Sequence, residues 1–211
     1  MQILSLDSIE STQTYLKELI TKNKISSSTA VIAKTQTNGI GSRDNSWTGL
    51  EGNLFLSFCV HVDELPDDLK IESASIYYSY ILKEVLEEYG SKVWIKWPND
   101  FYIENKKIGG MITHVIKDFL VCGVGVNIVN SPENFGKLDV KISIDNLLNK
   151  YLKNVKKILS WKQIFSKYKL EFYLNQKFYT HNKNLKISLE NAELQNDGSV
   201  IIDGERIYSL R

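Results

Sequence analysis

The chain has 211 residues, 43% hydrophobic and 24% charged, with a formal net charge of +1, which suits one main domain with a core of ordinary size and a small appendage. A charge this near zero excludes a general nucleic-acid binder, which carries a strong basic excess on one face. The amino terminus has neither the basic segment nor the apolar core of a signal peptide, and no run approaches a membrane span, so a cytoplasmic protein without membrane contact is expected.

A short strand is expected over residues 2–6. Ser11 and Thr12 then precede a helical face of Tyr15, Leu16, Leu19 and Ile20; either hydroxyl can cap that helix, whose free backbone donors also suit an anion or a carbonyl oxygen. Residues 30–34 read as a strand. Residues 35–50 read as a long polar loop with Asn38, Gly39, Gly41, Arg43, Trp47 and Gly49, and loops of that length inside compact domains are usually functional. A β-rich run follows over 54–62. Over 71–89, Ala74, Tyr77, Tyr78, Ile81, Leu82, Val85 and Leu86 keep helical spacing, with Gly90 as the stop.

The most informative stretch comes next, Lys96-Trp97-Pro98-Asn99-Asp100, closing an apolar run that starts at Val93. A lysine among Val93, Trp94, Ile95 and Trp97 calls for an anion, because burying an unpaired ammonium costs several kcal/mol or lowers its pKa. Pro98 has no backbone donor and ends the strand. Asn99 and Asp100 occupy the turn, 101–103 extends again, 104–106 turns, and a third extended piece runs over 107–115. This hairpin returns Lys107 and Gly109-Gly110 towards Lys96, which suggests a pocket for an anionic ligand.

Residues 118–128 form a strand of Val and Ile interrupted by Gly123, Gly125 and Asn127. Glycines there leave room for a ligand or another backbone, although a bulge would look the same. Two helices are expected over 145–159 and 161–174, the second opened by Ser160 with Gln163 in capping-box spacing; lysines within 150–157 read as a solvated helix face. Beyond 183 the pattern changes to short alternating strands, including 199–202 and 207–210, with turns at Asn196-Asp197-Gly198 and Asp203-Gly204. A boundary near Tyr179 separates 1–179 from a small β domain, 180–211. Cys59 and Cys122 lie in apolar runs and read as buried strand residues in a reducing compartment. His61, His114 and His181 have no metal-ligand spacing.

Four segments converge: Ser11-Thr12-Gln13; residues 36–47 with Gly52-Asn53-Leu54; residues 96–110; and Gly123-Val124-Gly125-Val126-Asn127. In this order and at these separations they resemble biotin-protein ligases, the biotin–acetyl-CoA-carboxylase ligases, over roughly the first 130 residues. The resemblance implies an α+β fold, a mixed sheet flanked by helices like that of class II aminoacyl-tRNA synthetases, with a small C-terminal SH3-like β-barrel. It implies a two-step reaction using ATP, Mg2+ and biotin: biotinyl-adenylate forms with release of pyrophosphate, and a lysine of a biotin carboxyl carrier protein then takes the biotinyl group. Because the chain begins directly with the catalytic region, it implies no DNA-binding segment and no nucleic-acid partner. A homodimer is a family-level expectation.

The same resemblance distributes roles. Lys107 would meet the biotin carboxylate and the α-phosphate as a fixed charge, and Lys96 would serve the phosphates or the acceptor-side chemistry. Asp100 would orient the acceptor lysine or receive its proton. Ser11, Thr12 and Gln36, with Gly39 beside them, would hold biotin, and Gly110 and Ile112 would offer backbone contacts. Trp47 would pack on the adenylate, Gly123 and Gly125 would admit the adenine, and Asn127 with Asn99 would face the nucleotide, Asn127 also its metal.

Two departures stand out. The family's loop reads G-R-G-R-x-G-R-x-W, whereas here residues 39–47 contain only Arg43, which would take over the phosphate contact. A charge-assisted hydrogen bond is worth about 1.5–3 kcal/mol, so the adenylate would be held roughly 10- to 100-fold less tightly. Gln13 stands where asparagine is usual. The rival readings are a lipoate-protein ligase or octanoyltransferase, which lacks the tryptophan-proline turn, and a catalytically silent biotin- or adenylate-binding module.

Overall fold

The structure is a computed structural model that describes residues 1–41, 46–182 and 185–209. Its first half builds one mixed sheet from β1 (Gln2–Ile9), β2 (Thr29–Ile40), β3 (Ser46–Gly49), β4 (Leu54–His61), β5 (Trp94–Lys96), β6 (Asp100–Ile103), β7 (Lys106–Ile116) and β8 (Phe119–Val126). The order is β1-β2-β4-β8-β7-β6-β5, with β3 hydrogen-bonded to β2. β1 and β2 run parallel, as the intervening helix α1 (Thr12–Thr21) requires, and the other pairs are antiparallel.

Both faces of the central strands are covered, which is why β4 and β8 read as continuous apolar runs. On one face Leu54, Leu56, Phe58 and Val60 of β4 join a core with helices α2 (Ala74–Glu87), α3 (Ile144–Val155) and α4 (Trp161–Glu171). On the other, Cys59, Phe119 and Val121 meet Leu16 and Ile20 of α1. Along β8 this α1-facing series continues, two residues at a time, as Gly123 and Gly125. Where the large side chains stop, a cleft opens at the amino-terminal end of α1.

Several elements differ from expectation. β1 extends to Ile9 because it pairs with β2 along its length. The segment 35–50 is not a loop throughout: β2 continues to Ile40, and β3 folds back on it with Gln36 opposite Gly49 and Gly39 opposite Trp47. Its polar character reflects a half-exposed ribbon reaching past the sheet, and Thr35 and Thr37 suit extended backbone. α3 ends at Val155, before Ile158 with its positive φ of 46°. α4 ends at Glu171 and tightens into a 3-10 turn, Phe172–Lys177, while Ser160 and Gln163 make both bonds of the expected capping box.

The C-terminal strands form two small sheets, β9 (Tyr179–Asn182) with β10 (Leu185–Ser188), and β11 (Glu193–Leu194), β12 (Val200–Ile202) and β13 (Glu205–Ile207). The last strand begins two residues earlier than expected, because Asp203 (φ 50°) and Gly204 (φ 81°) complete a two-residue hairpin turn. Leu189, Val200, Ile202 and Ile207 share their core with Ile76 and Trp97. Among the described residues no helix is long and apolar enough to cross a membrane.

Candidate active site

Cross-strand register assembles the charged end of the cleft. Lys96 lies opposite Asp100, Asp100 opposite Gly110, and Gly110 opposite Gly125, so one row crosses β5, β6, β7 and β8 on the α1-facing side. Lys107, opposite Tyr102, joins the row from β7. The Lys107 ammonium lies 2.6 Å from Asp100 Oδ1, and the Lys96 ammonium 3.4 Å from Asp100 Oδ2. Burial alone would push the Asp100 carboxyl up, but Lys107 and Lys96 outweigh it and hold the group below its ordinary value. Two ammonium groups thus gather around one carboxylate at this end of the cleft, an arrangement that suits an anionic ligand.

The opposite wall is neutral and rich in hydrogen-bonding groups. Ser11 caps α1, its hydroxyl accepting from the Thr14 amide at 3.3 Å. Gln36 Oε1 accepts from the Thr12 amide at 2.8 Å and from its hydroxyl at 3.0 Å. Since Thr12 has one hydroxyl proton, the 2.9 Å contact between Thr12 and Ser57 must run from the Ser57 hydroxyl to Thr12. Next to them Gln13 is 3% exposed, and neither its carbonyl oxygen nor its amide nitrogen has a partner among the described residues. A buried carboxamide lacking both sets of bonds is costly unless a ligand supplies them.

Of the residues singled out in the sequence, Ser11, Thr12, Gln36, Trp47, Asn99, Asp100, Lys107, Gly110, Ile112, Gly123 and Gly125 line this one cleft. Lys96 borders an adjoining cavity that shares Asn99, Asp100 and Ile112 with it. Gly39 sits behind, where a Cβ would come within 2.7 Å of the Trp47 carbonyl oxygen. Asn99 donates its amide to the Met111 carbonyl, so it also ties the turn to β7. Arg43 lies outside the described residues. Close neighbours face the two strand glycines: a Cβ on Gly125 would lie 2.8 Å from the Trp47 ring, and one on Gly123 would lie 3.2 Å from Gln13 Cδ.

A smaller cavity continues past Trp47, lined by Ser46, Asn127, Pro132 and Phe135. Phe135 meets Trp47 edge to face with centroids 6.3 Å apart. Asn127 is 1% exposed; its amide donates to the Gly136 carbonyl at 3.0 Å, while its Oδ1 has no partner among the described residues. Sequence reasoning passed over Pro132 and Phe135, which lie in an irregular segment, and gave Gln13 no role. Its place directly after Ser11-Thr12 was the available signal.

Comparison with known proteins supplies the family. Residues 5–127 match the model of the biotin/lipoate A/B protein ligase family. The chain belongs to this family. Among solved structures in the family's range of likeness, a biotin acetyl coenzyme A carboxylase synthetase from Helicobacter pylori with bound biotinylated ATP is 38% identical, with a TM-score of 0.93 over 98% of this chain and 99% of that one. The biotin protein ligase of Aquifex aeolicus, in complex with biotin and ATP, shares the fold with a TM-score of 0.79 at 24% identity, over 100% and 96% of the two chains. The bifunctional ligase/repressor BirA of Escherichia coli is 32% identical over 126 residues, which span 56% of this chain and 38% of that protein. The chain thus matches well under half the length of this curated relative.

Proposed function

We propose that this family member is a biotin-protein ligase, forming biotinyl-adenylate from biotin and ATP and transferring the biotinyl group to a lysine of a biotin carboxyl carrier protein. The observation that carries the reading is the division of the cleft into a neutral, amide-rich wall at Ser11, Thr12, Gln13 and Gln36 and a cationic end at Lys107 and Lys96. The first suits the ureido head of biotin, and the second suits its carboxylate and the phosphates.

In the first step a carboxylate oxygen forms a bond to the α-phosphorus as the bond to the pyrophosphate oxygen breaks, and no proton moves. Two anions must approach, so fixed positive charge is the main requirement. Lys107 supplies it nearest the reacting atoms, and its ion pair with Asp100 holds that ammonium in place. In the second step a neutral acceptor amine attacks the acyl carbon, AMP departs with the bonding pair, and the nitrogen passes its proton to the departing phosphate or to solvent water. Asp100, with its lowered pKa, is a weak base, so its part is orientation of the lysines around it.

The nucleotide would lie beyond Lys107 towards Trp47, Phe135 and Asn127. Among the described residues no three His, Cys, Asp or Glu side chains gather into a metal cage. Asn127 Oδ1, which has no partner among the described residues, would suit a magnesium ion brought in with the nucleotide. When bound, that ion neutralises phosphate charge. The experiment is biotin-dependent release of pyrophosphate from ATP by the purified chain, with lipoate in a parallel reaction. Release with biotin and not with lipoate is expected; release with lipoate alone would move the chain to the lipoate branch, and release with neither would remove the ligase reading.

A further inference from the structure

The Lys96–Asp100 turn is held from behind by the C-terminal part of the chain. Asn175, in the turn after α4, is fully buried. Its Oδ1 accepts the Trp97 amide at 2.6 Å, and its Nδ2 donates to the Phe172 carbonyl at 3.1 Å. The buried Trp97 indole donates to the Gly198 carbonyl at 2.8 Å. The same 196–198 turn receives the Trp161 indole at the Asn196 carbonyl, 2.8 Å away, and the Ser73 hydroxyl at the Asp197 carbonyl. Three successive carbonyls are thus fixed to the main sheet and its helices.

Trp97 stands next to Lys96 and two residues before Asn99, so the position of its backbone sets where the Lys96, Asn99 and Asp100 side chains emerge. Pro98 follows without a backbone donor, which leaves the Trp97 amide as a principal anchor for this turn. Buried groups of this kind locate a site when their own bonds are complete, and small displacements of reacting groups lower rates steeply.

We propose that Asn175 is a positioning residue for the adenylation step, acting through the Trp97 amide to hold Lys96 and the Asp100–Lys107 pair in register with the bound substrates. The proposal rests on the ligase reading for its rate effect, and on the structure alone for the hydrogen bond.

The test compares Asn175→Ala, which removes the acceptor, with Asn175→Asp, which keeps an acceptor oxygen and loses the donor to Phe172. Two readouts are taken on the full chain: hydrogen exchange of the Trp97 amide, and biotin-dependent pyrophosphate release per folded molecule. Asn175→Ala is expected to speed exchange at Trp97 and lower the adenylation rate constant roughly tenfold with the biotin KM little changed, while Asn175→Asp restores most of both. Should Asn175→Ala not fold, Asn175→Ser, whose hydroxyl is too short to reach the amide, takes its place. Unchanged Trp97 exchange in the acceptor-free variant overturns the proposal, as does an adenylation rate within about twofold of the parent's, since a merely structural role would alter stability without that rate. A parent chain that releases no pyrophosphate counts against the ligase reading, and the exchange comparison still decides the latch.

Discussion

Asp100 and Lys107 form the tightest described ion pair of the cleft, with 2.6 Å between carboxylate oxygen and ammonium nitrogen. The pair crosses between adjacent strands β6 and β7, and Lys96 approaches the same carboxylate from β5. A single carboxylate therefore holds two ammonium groups at one end of the cleft. A lysine left alone there would lower its pKa or turn to solvent.

Replacing Lys107 with glutamine removes the charge nearest the reacting atoms and keeps a hydrogen-bonding side chain. Removal of one such stabilising group typically costs about 10²- to 10³-fold in turnover. Biotin-dependent pyrophosphate release should fall by that order, with biotin binding, measured by calorimetry, changed far less. A fall confined to biotin affinity would show that Lys107 serves binding alone.

Asp100→Asn should alter the acid limb of stability. The folded-state pKa of Asp100 is depressed by its lysines, so its contribution is fully present above the ordinary carboxylate range and is lost as pH falls through the depressed value. The gap in urea midpoint between the parent and Asp100→Asn should therefore shrink as pH is lowered from 5 through 3. A constant gap would mean that the ion pairs contribute nothing to folding.

Gly125→Ala should force the Trp47 ring to move, because the new Cβ would stand 2.8 Å from it. Overpacking of this kind costs about 1–3 kcal/mol. The expected result is a lower melting temperature and a raised KM for ATP with the biotin KM nearly unchanged. An unaltered ATP KM would place Trp47 outside the nucleotide site.

The charged end of this cleft was legible because it is local. Lys96, Asp100, Lys107 and Gly110 lie on consecutive strands joined by short turns, so residue type and spacing foretold their meeting. Other parts depend on packing between distant segments. Trp47 covering Gly125, Asn175 reaching Trp97 and Gly198 receiving the Trp97 indole join residues separated by 78, 78 and 101 positions, and no periodicity encodes such contacts. The reading of 35–50 as a loop failed for a related reason: polarity signals exposure, and a ribbon that extends past the sheet is exposed while still hydrogen-bonded as a strand.

Both cysteines should be inert in the native chain. Cys59 and Cys122 are unpaired and fully buried, and burial pushes both thiols up from their ordinary value, away from the reactive thiolate. A colourimetric disulfide reagent should titrate neither thiol at neutral pH and both in strong denaturant. Rapid native labelling of either would contradict the packing between the sheet and its helices.

The most direct measurement is the mass of a biotin carboxyl carrier domain after incubation with this chain, ATP, magnesium and biotin, beside a second reaction containing lipoate. A gain of one biotinyl group on the carrier lysine, absent when ATP is omitted and absent with lipoate, is the predicted result. An unmodified carrier in both reactions, or a carrier modified by lipoate instead, would contradict the account.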